Sequence, residues 1–254
     1  MLELKHIHKY YNTGTVNEMC LFEDFNLTIR DHEFVSVVGS NGSGKTSLLN
    51  IICGSIPLDE GTIRIGNEDI TKMAEYKRQR RIGRVYQNPA MGTCPSMTIA
   101  ENMALADNKG KFFNLRPGKN KQRIDFYRES LRTLGLGLED KMDVKVGVLS
   151  GGQRQAMALL MSTMTPIEFL ILDEHTAALD PKTADLLTDR IVREKNLTTI
   201  MVTHNLRYAV DYGNRLLMMH QGKAIMDKAG TEKEETRIDD ILKKFNEISI
   251  ECGN

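Results

Sequence analysis

The sequence has no charge of either sign to spare. Its 34 Lys and Arg balance its 34 Asp and Glu, for a formal net charge of zero. No basic surplus argues for a nucleic-acid surface, and no acidic tail argues for disorder. Long apolar runs are missing too. Stretches such as Phe169–Leu172 fall far short of the roughly 18 residues needed to cross a bilayer. The N-terminus, Met1-Leu-Glu-Leu-Lys-His6, has no apolar core of a secretion signal, so the chain is expected to stay in the cytosol. The 4 cysteines, Cys20, Cys53, Cys94 and Cys252, are scattered, with no C-x-x-C pair and no histidine partners at metal-ligand spacing. They read as reduced thiols that fill small apolar spaces. No period of about 20–50 residues recurs, which excludes a repeat array. At 254 residues the chain has the length of one large α/β domain, or of a domain with a small appended lobe.

The first third reads as strands. Leu2, Leu4 and Ile7 open one, and Phe25, Leu27 and Ile29 alternate with polar residues as in a half-buried strand. Phe34-Val-Ser-Val-Val38 is a short apolar run suited to a buried parallel strand. The segment after Lys45 has helical spacing and is closed by Gly54. Thr62–Ile65 and Arg84–Tyr86 read as further strands. From Asn88 to Leu149 strands vanish, and Thr98–Ala106 and Gln122–Leu134 read as helices. Between them, 107–121 reads as an exposed loop, although Phe112 and Phe113 are apolar for one. The α/β pattern then resumes. Helices are expected at Gly152–Met164, Pro181–Lys195 and Asn205–Tyr212, and strands at Phe169–Leu172, Thr198–Val202, Leu216–Met219 and Ala224–Met226. Ile238–Phe245 reads as an amphipathic surface helix. The sheet is thus interrupted by one helical insertion.

Three segments carry chemistry. Gly39-Ser40-Asn41-Gly42-Ser43-Gly44-Lys45-Thr46 matches the phosphate-loop pattern G-x-x-x-x-G-K-[ST] between an apolar strand and a helix. Glycines let successive N–H groups turn inward to make an anion site, and the helix adds its positive end. Lys45 supplies charge to the outer phosphates and Thr46 a hydroxyl to Mg²⁺. Phe169-Leu-Ile-Leu-Asp173-Glu174 is an apolar strand ending in two acids. Asp173 would hold Mg²⁺ through water, and Glu174 would polarise the attacking water. Third, Ser150 caps a helix whose first residues, Gly151 and Gly152, leave room for a phosphate. One ATP does not easily occupy two such sites on one chain. The economical reading is that each caps the nucleotide held by a second copy.

With Leu149-Ser150-Gly151-Gly152-Gln153 following the phosphate loop by about a hundred residues, the chain resembles the ATP-binding subunits of ATP-binding cassette (ABC) transporters over almost its whole length. The resemblance implies an α/β fold: a P-loop NTPase core with a mixed sheet, an antiparallel β subdomain and an inserted α-helical subdomain. It places the core at 1–88 and 165–254 and the helical subdomain at 89–164. It implies that Gly39–Thr46, Ser47 and Ser150–Gln153 bind ATP. Tyr11 sits where the family stacks an aromatic on adenine, with Tyr10 as a competitor and a buried strand tyrosine as the alternative. Gln87 matches the glutamine that touches Mg²⁺ and the attacking water, Asp180 the loop along the dimer contact, and His204 the histidine on the γ-phosphate. One departure is His175, where many members have Pro after the catalytic Glu.

The implied function is ATP hydrolysis that powers solute transport, with ATP and Mg²⁺ bound between two copies of the chain. The implied partners are an integral membrane permease and a substrate-binding protein, with no nucleic acid, at the cytoplasmic face of the membrane. Glu174-His-Thr-Ala-Ala-Leu-Asp180 and Gly213-Asn-Arg-Leu-Leu-Met-Met-His220 look like an amino-acid uptake subgroup of tryptophan/tyrosine type. Two alternatives remain at this point: a soluble ABC ATPase acting on nucleic acid or ribosomes, and a non-hydrolysing nucleotide-binding module.

Overall fold

Alternation of apolar residues builds the first sheet. In the computed structural model, which describes residues 1–111, 121–176, 181–188 and 197–251, the first strands are β1 (Leu2–Tyr11), β2 (Met19–Ile29) and β3 (Phe34–Gly39). Helix α1 (Lys45–Cys53), β4 (Glu60–Ile65), β5 (Glu68–Asp69), α2 (Glu75–Arg78) and β6 (Ile82–Val85) follow. Next come α3 (Ile99–Asp107), α4 (Ile124–Arg132), α5 (Gly151–Ser162), β7 (Phe169–Asp173), α6 (Pro181–Thr188) and β8 (Thr198–Val202). The described chain closes with α7 (Leu206–Asp211), β9 (Arg215–His220), β10 (Lys223–Ala229), α8 (Thr231–Glu234) and α9 (Ile238–Glu251). These elements form two compact units, Met1–Glu75 with Thr198–Asn254, and Tyr76–Leu197.

The first unit holds an antiparallel sheet in the order β2-β1-β4-β5. Leu2 and Leu4 are buried on one parity of β1 and Ile7 on the other. The register shifts between Leu4 and Ile7, and His6 lies at φ 51°. That bulge returns the next apolar side chain to the core face. The same unit holds β3 between its parallel neighbours β8 and β9, with β10 antiparallel along β9. All six residues of β3 are buried, as suits its mostly apolar run, and the one hydroxyl in it, Ser36, donates to the Tyr212 carbonyl at 3.0 Å. Helices α7 and α9 cover this mixed sheet. Ala209 from α7 and Ile241 and Ile248 from α9 pack with Val38, Leu216 and Met218, and Phe245 lies against them. The spacing 241, 245, 248 is the buried stripe of a 3.6-residue period. The helix runs to Glu251, past the expected end at Phe245.

In the second unit β6 and β7 pair in parallel, with Val85 opposite Leu172. Among the described residues no strand lies between them, only an isolated bridge from Thr98 to Lys145. A Cβ on Gly83 would lie 2.6 Å from the Ser162 carbonyl oxygen, so β6 runs hard against the end of α5. Thr98 with Glu101 and Ser150 with Gln153 form reciprocal caps at the starts of α3 and α5. Buried Asn102 accepts from Cys94 N at 2.7 Å and donates to the Thr98 carbonyl at 2.9 Å, which fixes the chain entering α3.

Some expectations shift. The strand read at Arg84–Tyr86 lies at Ile82–Val85, because the buried pair Ile82 and Gly83 belongs to it. The short β5, α2 and α8 have too few residues to show a period. Of the helix read at Pro181–Lys195, 189–195 lies outside the described residues, as do 112–120 with Phe112 and Phe113, Asp180 and Cys252. Cys53 is buried as an apolar filler, but Cys20 is exposed.

Asp107, read as the start of an exposed loop, is 6% exposed. Its carboxylate accepts from Arg123 Nε at 2.8 Å and Arg123 Nη2 at 2.7 Å, and from the buried Tyr127 hydroxyl at 2.9 Å. Burial disfavours its charge, yet the hydrogen bonds from Arg123 and Tyr127 outweigh it and hold the carboxyl below the usual range. Burial, and then the neighbouring carboxylate, push the Tyr127 phenol up to about 12. Since the folded state binds the Asp107 proton less tightly than the unfolded chain, this stabilisation is complete above the ordinary carboxylate pKa. It fades as pH falls through the lower, folded one. Asp107→Asn is expected to cost about 2 kcal/mol in urea unfolding at pH 7, and the gap to wild type should narrow progressively below about pH 4.

Candidate nucleotide site

The phosphate loop lies between β3 and α1. Gly42 and Gly44 sit at φ 76° and 99°, where a side chain would be strained. Gly44 begins α1 with no side-chain cap, and the helix has no acid in its first turn. A Cβ on Gly44 would also lie 3.0 Å from Phe22 Cζ. An uncapped, glycine-lined helix N-terminus without a carboxylate is a fitting cradle for a polyphosphate. Lys45 is 6% exposed, and its Nζ donates to the Gly39 and Ser40 carbonyls at 2.8 Å each and to Ser43 Oγ at 3.3 Å. Thr46 is exposed. The Tyr11 hydroxyl donates to Ser47 Oγ at 3.4 Å, so Tyr11 reaches the start of α1. Tyr10 binds Asp59 through its main-chain N–H. His204 is exposed just beyond β8. Because β8 runs parallel to β3, with Val202 opposite Val37, His204 and the phosphate loop leave the sheet at the same end.

The turn between β9 and β10 supports the loop, which motif reading alone missed. The Gly222 N–H donates to the Ser43 carbonyl at 3.0 Å, and His220 Nδ1 lies 3.5 Å from Ser40 Oγ. Gln221 and Gly222 have φ 44° and 72°. Two left-handed residues make the hairpin turn that matches strand twist, so a Gln-Gly pair between short strands was the available signal.

The second unit carries the acidic residues. Asp173 ends β7 at 8% exposure and accepts from Arg84 Nη2 at 3.2 Å. Arg84 also lies 4.5 Å from the centre of the Tyr86 ring. Glu174 follows at φ 48°, and its Oε2 accepts from Gln87 Nε2 at 2.8 Å. The parallel pairing of β6 and β7 is what delivers Gln87 and Glu174 to one strand end. Gln155 of α5 donates to the Tyr86 carbonyl at 3.0 Å and so holds the segment that leads into Gln87. His175 is 2% exposed, and burial pushes its imidazole down to about 4. Ser150 Oγ accepts from Gln153 N at 3.2 Å, while Gly151 and Gly152 leave the first two residues of α5 without side chains. No group of three His, Cys, Asp or Glu residues is placed to hold a metal among the described residues. The Thr46 hydroxyl and the Asp173 carboxylate are hard oxygen donors of the kind Mg²⁺ takes.

The family model for ABC transporters matches residues 22–177. The chain belongs to the ABC transporter ATP-binding family. This ABC subunit is 47% identical, over 96% of its length and 98% of the relative's, to a tyrosine transport ATP-binding protein of Clostridioides difficile. It is 34% identical over 98% of its length to a spermidine/putrescine import ATP-binding protein of Haemophilus influenzae, of which it spans 64%. An energy-coupling factor transporter ATP-binding protein of Clostridium tetani is 33% identical over 89% of the chain and 78% of that relative.

Among solved structures, a dimeric ATP-binding cassette in a post-hydrolysis state, bound to ADP and Pi, superposes with TM-score 0.77. It is 28% identical, covering 90% of this chain and 98% of that one. A nucleotide-free cassette at 23% identity, with TM-score 0.80 over 100% of this chain and 99% of that one, supports the fold. The ABC subunit is therefore an ATP-hydrolysing transport ATPase of the α/β P-loop class that works with Mg²⁺, and its ABC ATPase relatives of import systems dimerise and pair with membrane permeases. An ATPase acting on nucleic acid or ribosomes is not favoured. No helix among the described residues is long and apolar enough to cross a membrane.

The support given by the β9–β10 turn is measurable. A Cβ on Gly222 would fall 1.6 Å from the Leu21 carbonyl oxygen, whereas one on Gly66, also at positive φ, meets nothing within 4 Å. Gly222→Ala should cost more than about 3 kcal/mol in denaturant unfolding, and Gly66→Ala about 1 kcal/mol.

Proposed function

We propose that the subunit powers uptake of an aromatic amino acid of the tyrosine class. The observation that carries this reading is the 47% identity, along nearly the full length of both chains, with a tyrosine transport ATP-binding protein. The permease would pair with a separate substrate-binding protein, and the subunit would sit at the cytoplasmic face of the membrane. Segment 89–164 would act as the helical subdomain and 1–88 with 165–254 as the nucleotide-binding core.

The residue roles we propose rest on the family resemblance together with the charge and geometry of the site. Main-chain N–H groups of Gly39–Gly44 and the start of α1 bind the phosphates, with Ser43, Thr46 and Ser47 adding hydroxyls. The Lys45 ammonium exchanges its carbonyl partners for phosphate oxygens. Tyr11 offers its ring to adenine. Glu174 accepts a proton from the attacking water as the water oxygen bonds to the γ-phosphorus and the bond to the β-phosphate oxygen breaks, releasing ADP. His204 donates to the γ-phosphate. Thr46, Gln87 and Asp173, with water, would hold Mg²⁺, which would supply charge neutralisation for the outer phosphates. Ser150, Gly151, Gly152 and Gln153 of one protomer close over the nucleotide of its partner, and Asp180 lies along that contact. Closure thus depends on ATP occupancy, and hydrolysis reopens the pair.

Glu174→Gln should keep ATP binding, slow turnover by at least about 100-fold and accumulate an ATP-bound dimer on size exclusion. Cells carrying only this variant should lose tyrosine uptake while spermidine uptake persists. Wild-type turnover would remove Glu174 from the base role, and intact tyrosine uptake in a hydrolysis-dead strain would remove the substrate class.

A further inference from the structure

Glu174 is held in a conformation that its own side chain disfavours. Its φ of 48° is left-handed, and such a residue persists only where its neighbours over-determine it. Upstream, Asp173 is tied by β7 pairing and by Arg84 at 3.2 Å. Downstream, the neighbour is His175, 2% exposed and 3.2 Å from Thr188 Oγ1 through Nε2. Thr188, 1% exposed, sits in α6 and donates its single hydroxyl proton to the Ala184 carbonyl at 2.8 Å. Its oxygen is therefore the acceptor, which assigns the proton of the neutral imidazole to Nε2. A buried ring thus links the turn after β7 to a helix by one directional bond.

We infer that His175 is a positioning residue for Glu174, anchoring the strained turn to α6 through Thr188 so that the carboxylate keeps its place beside Gln87. This rests on the reading of Glu174 as the group that polarises water. It predicts a loss in turnover without a loss in nucleotide affinity, because none of these groups belongs to the phosphate loop.

The test measures ATPase kinetics and nucleotide affinity of the subunit assembled with its permease. His175→Phe, which fills the space without the donor, should lower kcat about 10-fold with KM and Kd for ATP within about twofold. His175→Gln, whose amide nitrogen reaches a similar point, should restore at least about half of wild-type kcat. Thr188→Val should reproduce His175→Phe, and the double variant should be no slower than either. The inference is overturned if folded His175→Phe keeps wild-type kcat, if His175→Gln is as slow as His175→Phe, or if affinity falls together with kcat. Should His175→Phe fail to fold, Thr188→Val decides alone, since it keeps the buried ring, and an unchanged kcat overturns the inference. Run alongside, Glu174→Gln separates the two readings. A slow Glu174→Gln with a fast His175→Phe sinks only the positioning role, whereas a fast Glu174→Gln sinks the base assignment beneath it.

Discussion

A buried ammonium held by three oxygens is the constraint around which the phosphate loop is arranged. Lys45 is nearly inaccessible, and its charge is satisfied by the Gly39 and Ser40 carbonyls and the Ser43 hydroxyl. A charge at such depth demands partners, and only a chain that doubles back on itself supplies two successive carbonyls. The doubling back needs residues without a Cβ at Gly42 and Gly44. It also needs rigid ends: β3, buried throughout, on one side, and α1 on the other. The same glycines that let the chain bury the lysine are those that the phosphate-loop reading requires.

The carboxylates of the second unit are also held by partners. Asp173 faces Arg84, and Glu174 faces the Gln87 amide. Each partner comes from β6 or just beyond it, so the acidic strand end is shaped by its parallel neighbour. Around this pair polar groups add to the unit's apolar packing: the reciprocal caps of α3 and α5, buried Asn102, and the Asp107–Arg123–Tyr127 cluster joining the end of α3 to α4. Hydrogen bonds are directional, and a cluster of them fixes angle as well as distance.

Candidate site residues that depend on residue type and short spacing were legible in the sequence. Gly39–Thr46, Ser150–Gln153 and the Asp173-Glu174 pair each sit within a few residues of chain, where backbone geometry alone brings the groups together. Most strands and helices were legible for the same reason, since burial on one face leaves a period of 2 or about 3.6. Elements of two to four residues, such as β5, α2 and α8, are too short to leave a period.

What only the tertiary structure decided are contacts between residues far apart in the chain. The sequence holds Gln221-Gly222 between two short strands, but the bond from Gly222 to Ser43 arises because β9 lies beside β3. It marks Asp107 as loop, but Arg123 and Tyr127, from the other side of 112–120, bury it. It shows His175 as a departure from a pattern, and only the approach of α6 makes it a hydrogen-bond donor. Local order is encoded in side-chain periodicity and glycine placement. The partner of a buried polar group is set by packing between distant segments, which no spacing along the chain records.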